Sequence, residues 1–468
     1  MSVLSVPGYQ LTPSSVKQPL ATNYINNFDF LNQYLPDTYE KEFERYGNRS
    51  IASFLRMVGA EMPSNSDMIK WAEQGRLHTQ YTGVTTTGAA AAGSQTFDIG
   101  TGTCVFRIGQ TVILSSASET TNEKTQKGII TALPADDQFT VAFYGAAASS
   151  GFAAAATDII AFVYGSEFKK GSNGMQGSLE AEDSIFENSP IIIKDKYAVS
   201  GSDMAQIGWV EVTTENGATG YLWYLKSEHE TRLRFEDYLE MAMVEGVPAD
   251  SSSAALTYLS TGATTTAAGT EGMFHTISNR GNVWGGGYPT TLADFDAIIQ
   301  RLDKQGSIQE NALFVNREFS FSIDDMLAAQ NSYGAGGTSY GLFNNSEQMA
   351  LNLGFSGFKR GYEFYKTDWK YLNDPTLRGG LSAGNVNGVL VPAGSTTVYD
   401  MVLGKNAKRP FLHVRYRASE AEDRRYKTWM TGSAGGAATS DLDAMEVHFL
   451  SERALCTMGA NNFCIFQD

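Results

Sequence analysis

Residues 220–246 read GYLWYLKSEHETRLRFEDYLEMAMVEG, and this segment constrains the rest of the chain more than any other. Leu222, Leu225, His229, Leu233, Leu239 and Met243 recur near helical spacing, which predicts a helix with one apolar stripe. Two sets of charges at four-residue steps (Lys226, Glu230, Arg234 and Glu228, Arg232, Glu236) solvate its outer face. Each pair adds only about 0.2–0.5 kcal/mol, but the spacing specifies helix over strand. Gly246 can take the left-handed position after the last turn, and Pro248 cannot continue the helix. At 1.5 Å per residue the result is a rod of roughly 40 Å. A rod that long, apolar over only part of one face, suits a scaffold better than an active site.

With 468 residues the chain has room for about three domains and can bury a core without staples. Cys104, Cys456 and Cys464 are odd in number and far apart, so no disulfide framework or metal-spaced pair follows and a reducing compartment is expected. The first residues, MSVLSVPGYQLTPSS, have neither the basic segment nor the apolar core of a signal peptide. No run approaches the ~18 apolar residues of a membrane span. A balance of 35 basic and 51 acidic residues, net −16, argues against a protein built mainly to grip nucleic acid.

Residues 1–45 are predicted to form an arm, broken by Pro7, Pro13 and Pro19 but rich in aromatics: Tyr9, Tyr24, Phe28, Phe30, Tyr34, Tyr39 and Phe43. That richness predicts packing, on its own domain or on a neighbouring subunit, since a solvated tail is poorer in aromatics. Residues 48–59 read as a short amphipathic helix with Ile51, Phe54, Leu55 and Val58 inward. A second short helix is expected over 66–74, capped by Ser66 or Asp67. After a Gly/Ala/Thr tract, strand-like runs follow at 103–108, 111–115, 127–133, 138–144 and 157–164. Residues 84–164 are therefore predicted to be a small antiparallel barrel or sandwich inserted into a longer host. Polar, glycine-rich sequence and two extended stretches fill 165–221 and lead into the rod. Beyond it, Thr291 and Asp294 resemble a capping arrangement for a helix with Leu292, Phe295, Ile298, Ile299 and Leu302 inward, ended by Gly306. A strand at 312–315 and a helix at 316–330 follow, with Phe319, Ile323, Met326 and Leu327 inward. Residues 333–341 are a loop without the ending of a phosphate cradle. Strands are expected at 358–367, 386–391, 396–403, 411–417, 424–430, 444–456 and 461–466, so 403–468 should form an elongated antiparallel sheet. The fold class expected is α+β.

Little in the sequence carries chemistry. The chain lacks a Walker A motif, HExxH, an EF-hand loop, a nucleophile elbow and a zinc pairing. His78, His229, His275, His413 and His448 are scattered, and a structural role is expected for each; only folding could bring a Cys–His dyad together. Paired acids at Asp136 and Asp137, and at Asp324 and Asp325, are expected to be solvated. The expected catalytic, cofactor and metal sites are none. The best cationic positions are Arg415, Arg417, Arg424 and Arg425, with Lys169, Lys170, Lys194 and Lys196 beside them as candidates for contact with acids of a neighbouring subunit.

The order of parts (arm, extended two-stranded loop, long rod, central α+β domain, closing sheet) resembles the major capsid protein of tailed bacteriophages, which has the Hong Kong 97-like capsid fold. Residues 220–246 resemble its spine helix, and 68–81 with 165–221 its extended loop. The segment TLADFDAIIQRLDKQG…ALFVNREFSFSIDDMLAAQ is similar to the helix–strand–helix of its axial domain, and DWKYLNDP to a stretch before the axial strands. GSEFKKGSNGMQG and the barrel-like insert are similar in texture to crAss-like phages. The resemblance implies this division: 1–45 arm; 46–83 start of the peripheral domain and extended loop; 84–164 insert; 165–221 loop return; 222–280 spine helix and peripheral domain; 281–402 axial domain; 403–468 peripheral sheet. It implies a non-enzymatic virion protein that forms hexamers and pentamers of itself. Portal, scaffolding and head auxiliary or decoration proteins would be its partners, with double-stranded DNA enclosed, no membrane, and assembly in the host cytoplasm. No charged scaffolding segment precedes the arm, so a scaffold would be a separate protein and no N-terminal piece is expected to be removed. The competing expectations are an encapsulin-type compartment shell, a cytoplasmic enzyme, and a glycan-binding surface module centred on the insert.

Overall fold

The structure is a computed structural model and describes residues 54–55, 60–177, 183–205, 212–213, 219–220, 223–259, 268–331, 357–400, 405–434, 436 and 438–468. The expected arm at 1–45, nearly all of the helix at 48–59 and the loop at 333–341 lie outside these residues.

From the N-terminal side, β1 (Ala60–Ser64) and β2 (Ile69–Gln74) precede the six strands β3 (Gln80–Thr86), β4 (Ser94–Asp98), β5 (Gln110–Ser115), β6 (Thr125–Ala132), β7 (Gln138–Phe143) and β8 (Ile159–Ser166). These six close into an antiparallel barrel in the order β3-β4-β7-β6-β5-β8. Its interior is sealed by Phe97, Phe106, Phe139 and Phe152 with Val112, Leu114 and Val141, all buried. The expected boundaries 84 and 164 cut through β3 and β8, which pair with each other and bring the chain in and out side by side. The expected strand at 103–108 is irregular, while β4 occupies the end of a tract that reads as low-complexity loop.

The expected helix at 66–74 is corrected to strand. β2 pairs antiparallel with β9 (Asp183–Asn188), and Trp71 lies opposite Phe186 in that register. A helical stripe would have satisfied its own backbone; here the distant β9 supplies the hydrogen bonds, and Ile69 and Trp71 turn one face onto the neighbouring sheet. The barrel therefore sits at the end of a two-stranded ribbon. β10 (Ile191–Ser200) leaves that ribbon and joins the main sheet. A short pairing of β11 (Val212–Thr213) with β12 (Thr219–Gly220) precedes the long helix α1 (Trp223–Glu245).

At about 1.5 Å per residue α1 is ~35 Å long. It ends before Gly246, as expected, but Gly246 is not left-handed; what it accommodates is close backbone approach, since a Cβ there would lie 2.6 Å from the Thr270 carbonyl oxygen. Its buried line differs from the expected stripe. Thr231, Phe235, Leu239 and Met243 face inward at steps of four, whereas His229 and Leu233 are only half-buried. Phe235 sets the rotation: its ring packs on Phe449 and Tyr426. After α2 (Ala254–Leu259), α3 (Met273–Arg280) leads into β13 (Asn282–Gly285). The helix α4 (Leu292–Gln305) has the expected capping box, with Thr291 and Asp294 exchanging hydrogen bonds, and it stops at Gly306 with φ +69°. Then come β14 (Glu310–Val315) and α5 (Arg317–Asn331). The stretch expected as one strand at 358–367 is a hairpin, β15 (Gly357–Arg360) and β16 (Tyr362–Asp368), because Gly361 at φ +78° reverses the chain. The remaining strands are β17 (Val386–Pro392), β18 (Ser395–Asp400), β19 (Lys405–Pro410), β20 (Leu412–Arg417), β21 (Lys427–Gly432), β22 (Ala444–Thr457) and β23 (Cys464–Gln467).

Two sheets organise the body. One runs β1-β20-β22-β10 with β21 also on β22; it is mixed, because β1 is parallel to β20. The other runs β13-β23-β17-β14-β16-β15, with β17 buried along its whole length. The region 403–468 thus does not form a single antiparallel sheet. After Gly459 the chain crosses over, and β23 enters the six-stranded sheet beside β17 and β13. Phe463 and Ile465 pack in the core shared by the two sheets, and Cys464 and Phe466 in the core under α4 and α5. That shared core also holds Phe54, Phe314 and Trp369, with Phe54 stacked on Trp369 at a centroid distance of 4.5 Å.

Candidate functional site

Of the eight cationic candidates, three meet at the middle of the first sheet. β22 places Glu452 and Arg453 on opposite faces of the strand, both buried. On the face toward the ribbon, Arg424 binds Glu452 at 2.9 Å, and Arg417 bridges Glu452 at 3.4 Å and Asp67 more closely. On the face toward α1, Arg425 and Arg453 both reach Glu61 of β1. Arg453 also donates to Ser451 Oγ at 2.9 Å and to the Arg425 carbonyl at 3.0 Å. Burial pulls its pKa below the usual arginine value, with Glu61 opposing. Arg415 points its guanidinium at the Met62 sulfur, 3.8 Å away. Arg417, Arg424 and Arg425 therefore already neutralise acids of their own chain. Their residue types pointed to charge pairing; Glu452 comes from β22, a strand the sequence predicts, whereas Glu61 comes from β1, which the sequence reading did not identify.

The four lysines stand apart from this cluster. Lys169 and Lys170 are exposed just past the barrel. Lys194 and Lys196 alternate on the open face of β10, and Lys196 pairs with Glu446 at 2.9 Å. Lys196 is the first cause holding the Glu446 carboxyl below its usual range. Asp324 is corrected from solvated to paired: Lys366 Nζ lies 2.5 Å from it in a half-closed site.

A cleft of about 710 Å³ opens beside the arginine cluster, between α1 (Glu236, Leu239, Glu240) and the sheet (Glu61, Val414, Tyr416). Its cations, Arg425 and Arg453, are already engaged with Glu61. The folded chain does bring one Cys–His pair together: His413 and Cys456 are cross-strand partners. Both are buried. Burial, reinforced by the Arg415 charge, lowers the His413 pKa to about 4, and burial pushes the Cys456 thiol up to about 12. A nucleophilic dyad needs the reverse, a charged imidazole beside a thiolate, so this pair is core packing. Among the described residues, no group of three His, Cys, Asp or Glu side chains is placed to hold a metal, and no helix is long and apolar enough to cross a membrane.

A clamp at the ribbon root is absent from the sequence reading. Arg280, at the end of α3, lies over the Phe186 ring at 4.0 Å and nearer the edge of reach of Trp71 at 5.9 Å. It also pairs with Glu271 at 3.4 Å and Glu73 at 4.0 Å. Asn188 donates to the carbonyls of Glu271 and Leu455 at 2.9 and 2.7 Å, and its carbonyl accepts from the Glu271 amide at 2.8 Å. Glu73 accepts from the Gly459 amide at 3.0 Å. The partners come from distant segments, so only the folded chain brings them together.

No family model and no curated protein matches the chain. Among solved structures it is similar to one described as Microbacterium phage Oxtober96, at 9% identity and TM-score 0.39, covering 95% of this chain and 99% of that one. It is similar to one described as Gordonia phage Cozz, at 9% identity and TM-score 0.40, covering 97% and 99%. A third, described as "Capsid of native GTA particle computed with C5 symmetry", shares 9% identity at TM-score 0.37, covering 97% and 99%.

Proposed function

We propose that this chain is a virion shell protein, the major capsid protein of a tailed bacteriophage with a Hong Kong 97-like fold. Copies of it form hexamers and pentamers that close an icosahedral shell around double-stranded DNA. In this reading α1 is the spine helix, the ribbon β2–β9 the extended loop, and the six-stranded sheet with α4 and α5 the axial domain. The five-stranded sheet is the peripheral domain, and the barrel an insert on the loop. Portal, scaffolding and decoration proteins are its partners, and assembly occurs in the host cytoplasm. The sequence texture at 165–177, together with the barrel insert, supports a place near crAss-like phages.

The observation that carries this is the ribbon. It is a two-stranded pair too small to fold alone, and only one of its faces, with Ile69, Trp71 and Glu73, is held against the body. On the opposite face Ile185 is 70% exposed, and the ion pair Lys70–Glu187 is 57% and 56% exposed. A second copy would supply cover for such a ribbon, and a closed shell repeats each modest contact many times. Net charge −16 suits a lining that does not hold on to DNA.

Negative-stain microscopy of the purified protein, followed by nuclease treatment of any particles, tests this. Shells of uniform size with protected DNA in the phage are expected. Monomers alone at high concentration and near-native salt would refute it, and particles filled with protein cargo would point to a compartment shell.

A further inference from the structure

We propose that one outer flank of the barrel, running from Tyr144 just past β7 over β6 and β5 to β8, is a binding site for a neutral oligosaccharide. The proposal is independent of shell assembly.

The barrel has no need of this flank for its own stability, because its interior is closed by a complete aromatic and aliphatic core. Yet Tyr144, Phe162, Tyr164 and Phe168 are 52%, 38%, 48% and 41% exposed. On β8, Ile160, Phe162 and Tyr164 point outward at alternate positions while Ile159 and Ala161 point in. Exposed rings gathered on one flank mark a contact surface. Two of these rings are held in place. The Tyr144 hydroxyl donates to Glu167 Oε2 at 2.5 Å, and the Lys127 ammonium lies 5.9 Å from the centre of the Tyr164 ring. Beside them runs an open groove of about 790 Å³, lined by Tyr144, Lys127, Asn122, Glu123, Thr125 and Ser149 among others. That volume is within the range of small-ligand sites.

The lining chooses the ligand class. The barrel is closed, so this flank offers no free strand edge for a peptide to extend. Glu123 lines the groove together with Lys127, and Glu167 is bonded to Tyr144 at its side, so the groove carries both signs of charge, which disfavours phosphates and polyanions. Hydroxyl and amide side chains along the groove disfavour an acyl chain or an apolar helix. What fits is a molecule with an apolar C–H face to lie on tyrosine rings and hydroxyls at its rim. Its hydroxyls would meet Lys127, Glu167 and Thr125, as the amphipathic character of tyrosine favours. A pyranose chain has that form.

The test uses the full-length protein and four hexasaccharides: β-1,4-linked glucose, β-1,4-linked N-acetylglucosamine, β-1,3-linked glucose and α-1,4-linked glucose. Saturation-transfer NMR detects binding and calorimetry measures it. At least one sugar is expected to bind. Tyr144→Ala and Tyr164→Ala should each weaken it about tenfold, equivalent to ~1.4 kcal/mol. Tyr144→Phe, which keeps the ring and loses only the bond to Glu167, should weaken it less, and Tyr258→Ala, at a remote exposed tyrosine, not at all. Near-UV circular dichroism confirms that each variant is folded. The proposal is overturned if no sugar gives transfer at millimolar concentration, or if binding survives both alanine variants. It is equally overturned if Tyr164→Ala alters the sedimentation of the protein, which would make the flank a contact between copies.

Discussion

Glu119 offers a sharp test of how the barrel is held shut. Its carboxylate is buried, with 4% exposure, at the end of the barrel between β5 and β6. Oε1 accepts three backbone N–H groups, from Thr120 at 3.1 Å, Thr121 at 2.7 Å and Asn122 at 3.1 Å. Oε2 accepts a fourth, from Ala153 at 3.0 Å, in the loop that leads to β8. Glu119→Gln keeps the shape and replaces one oxygen with an NH₂ group. If the amide keeps its oxygen toward the three donors, its nitrogen confronts the Ala153 N–H, and one buried donor is orphaned. That loss is worth about 1–3 kcal/mol, and the three surviving bonds fall from charged to neutral strength, roughly another 1–2 kcal/mol together. A total near 3 kcal/mol corresponds to local opening about 100-fold more frequent. Hydrogen exchange read by mass spectrometry should therefore speed up by about that factor at 120–122 and 153, while peptides from β17 and β22 stay unchanged. The N–H of Thr121, followed by the other backbone donors, holds the Glu119 pKa below its ordinary value of 4.5. A depressed carboxylate stabilises above its unfolded value, and the stabilisation disappears as pH falls through the lower folded value. Wild-type protection at these amides should thus collapse below pH 4.5, and Glu119→Gln should show no such acid step. Equal exchange in the two proteins at neutral pH would refute the reasoning.

Other outcomes follow from the same structure. Lys366→Ala should destabilise the six-stranded domain by about 1–3 kcal/mol in urea unfolding, because it removes the charge-assisted bond to Asp324 at 2.5 Å, whose two side chains are 9% and 13% exposed. A loss under about 1 kcal/mol would mean the pair behaves as a surface one. Arg280→Ala should raise exchange in β2 and β9 about tenfold, the worth of one well-placed cation–π contact, while the barrel strands keep their protection. Parallel loosening of the barrel would mean the clamp is not confined to the ribbon root. Burial pushes the Cys456 and Cys464 thiols up to about 12, so neither should react with iodoacetamide at about pH 8 until the protein is unfolded. Replacing residues 80–166 with a short glycine–serine linker should leave the two sheets with their native exchange pattern, since the barrel core shares no residue with the other cores. Removing residues 165–221, in contrast, should unfold the first sheet, because that segment contains β10.

What could be read in the sequence was whatever a segment decides for itself. The α4 segment specifies its cap, its apolar face and its glycine stop within 16 consecutive residues, 291–306, and folds as read. The end of α1 also falls where Gly246 and Pro248 place it, though Gly246 serves there by close packing against Thr270 and not by a left-handed turn. Errors appear where the deciding partner is remote. Residues 66–74 look helical until β9, more than a hundred residues away, pairs with them. Arg417 and Arg424 announce themselves as charges, but the identity of their acids waits on the placement of β1 and β22. Cys464 and Phe466 look like part of a C-terminal sheet, and it is the core beneath α4 and α5 that draws them across. The Arg280 clamp had no local signal at all.

These differences share a physical cause that bears on function. The barrel and the two-sheet body each close their own cores. The ribbon between them has no core of its own, and it holds its line by backbone pairing and by one face, with Ile69, Trp71 and Glu73, packed on the body. A connector of that kind transmits position poorly when alone, because loosening Arg280, Asn188 or Glu73 lets its held face lift from the body. It transmits position well once its open face, with Ile185 and the Lys70–Glu187 pair, lies against another molecule. Under the shell reading proposed above, the ribbon would be completed by assembly. The direction in which it holds the barrel should be far better defined in a particle than in a monomer, and exchange at 183–188 measured in both states would show the difference.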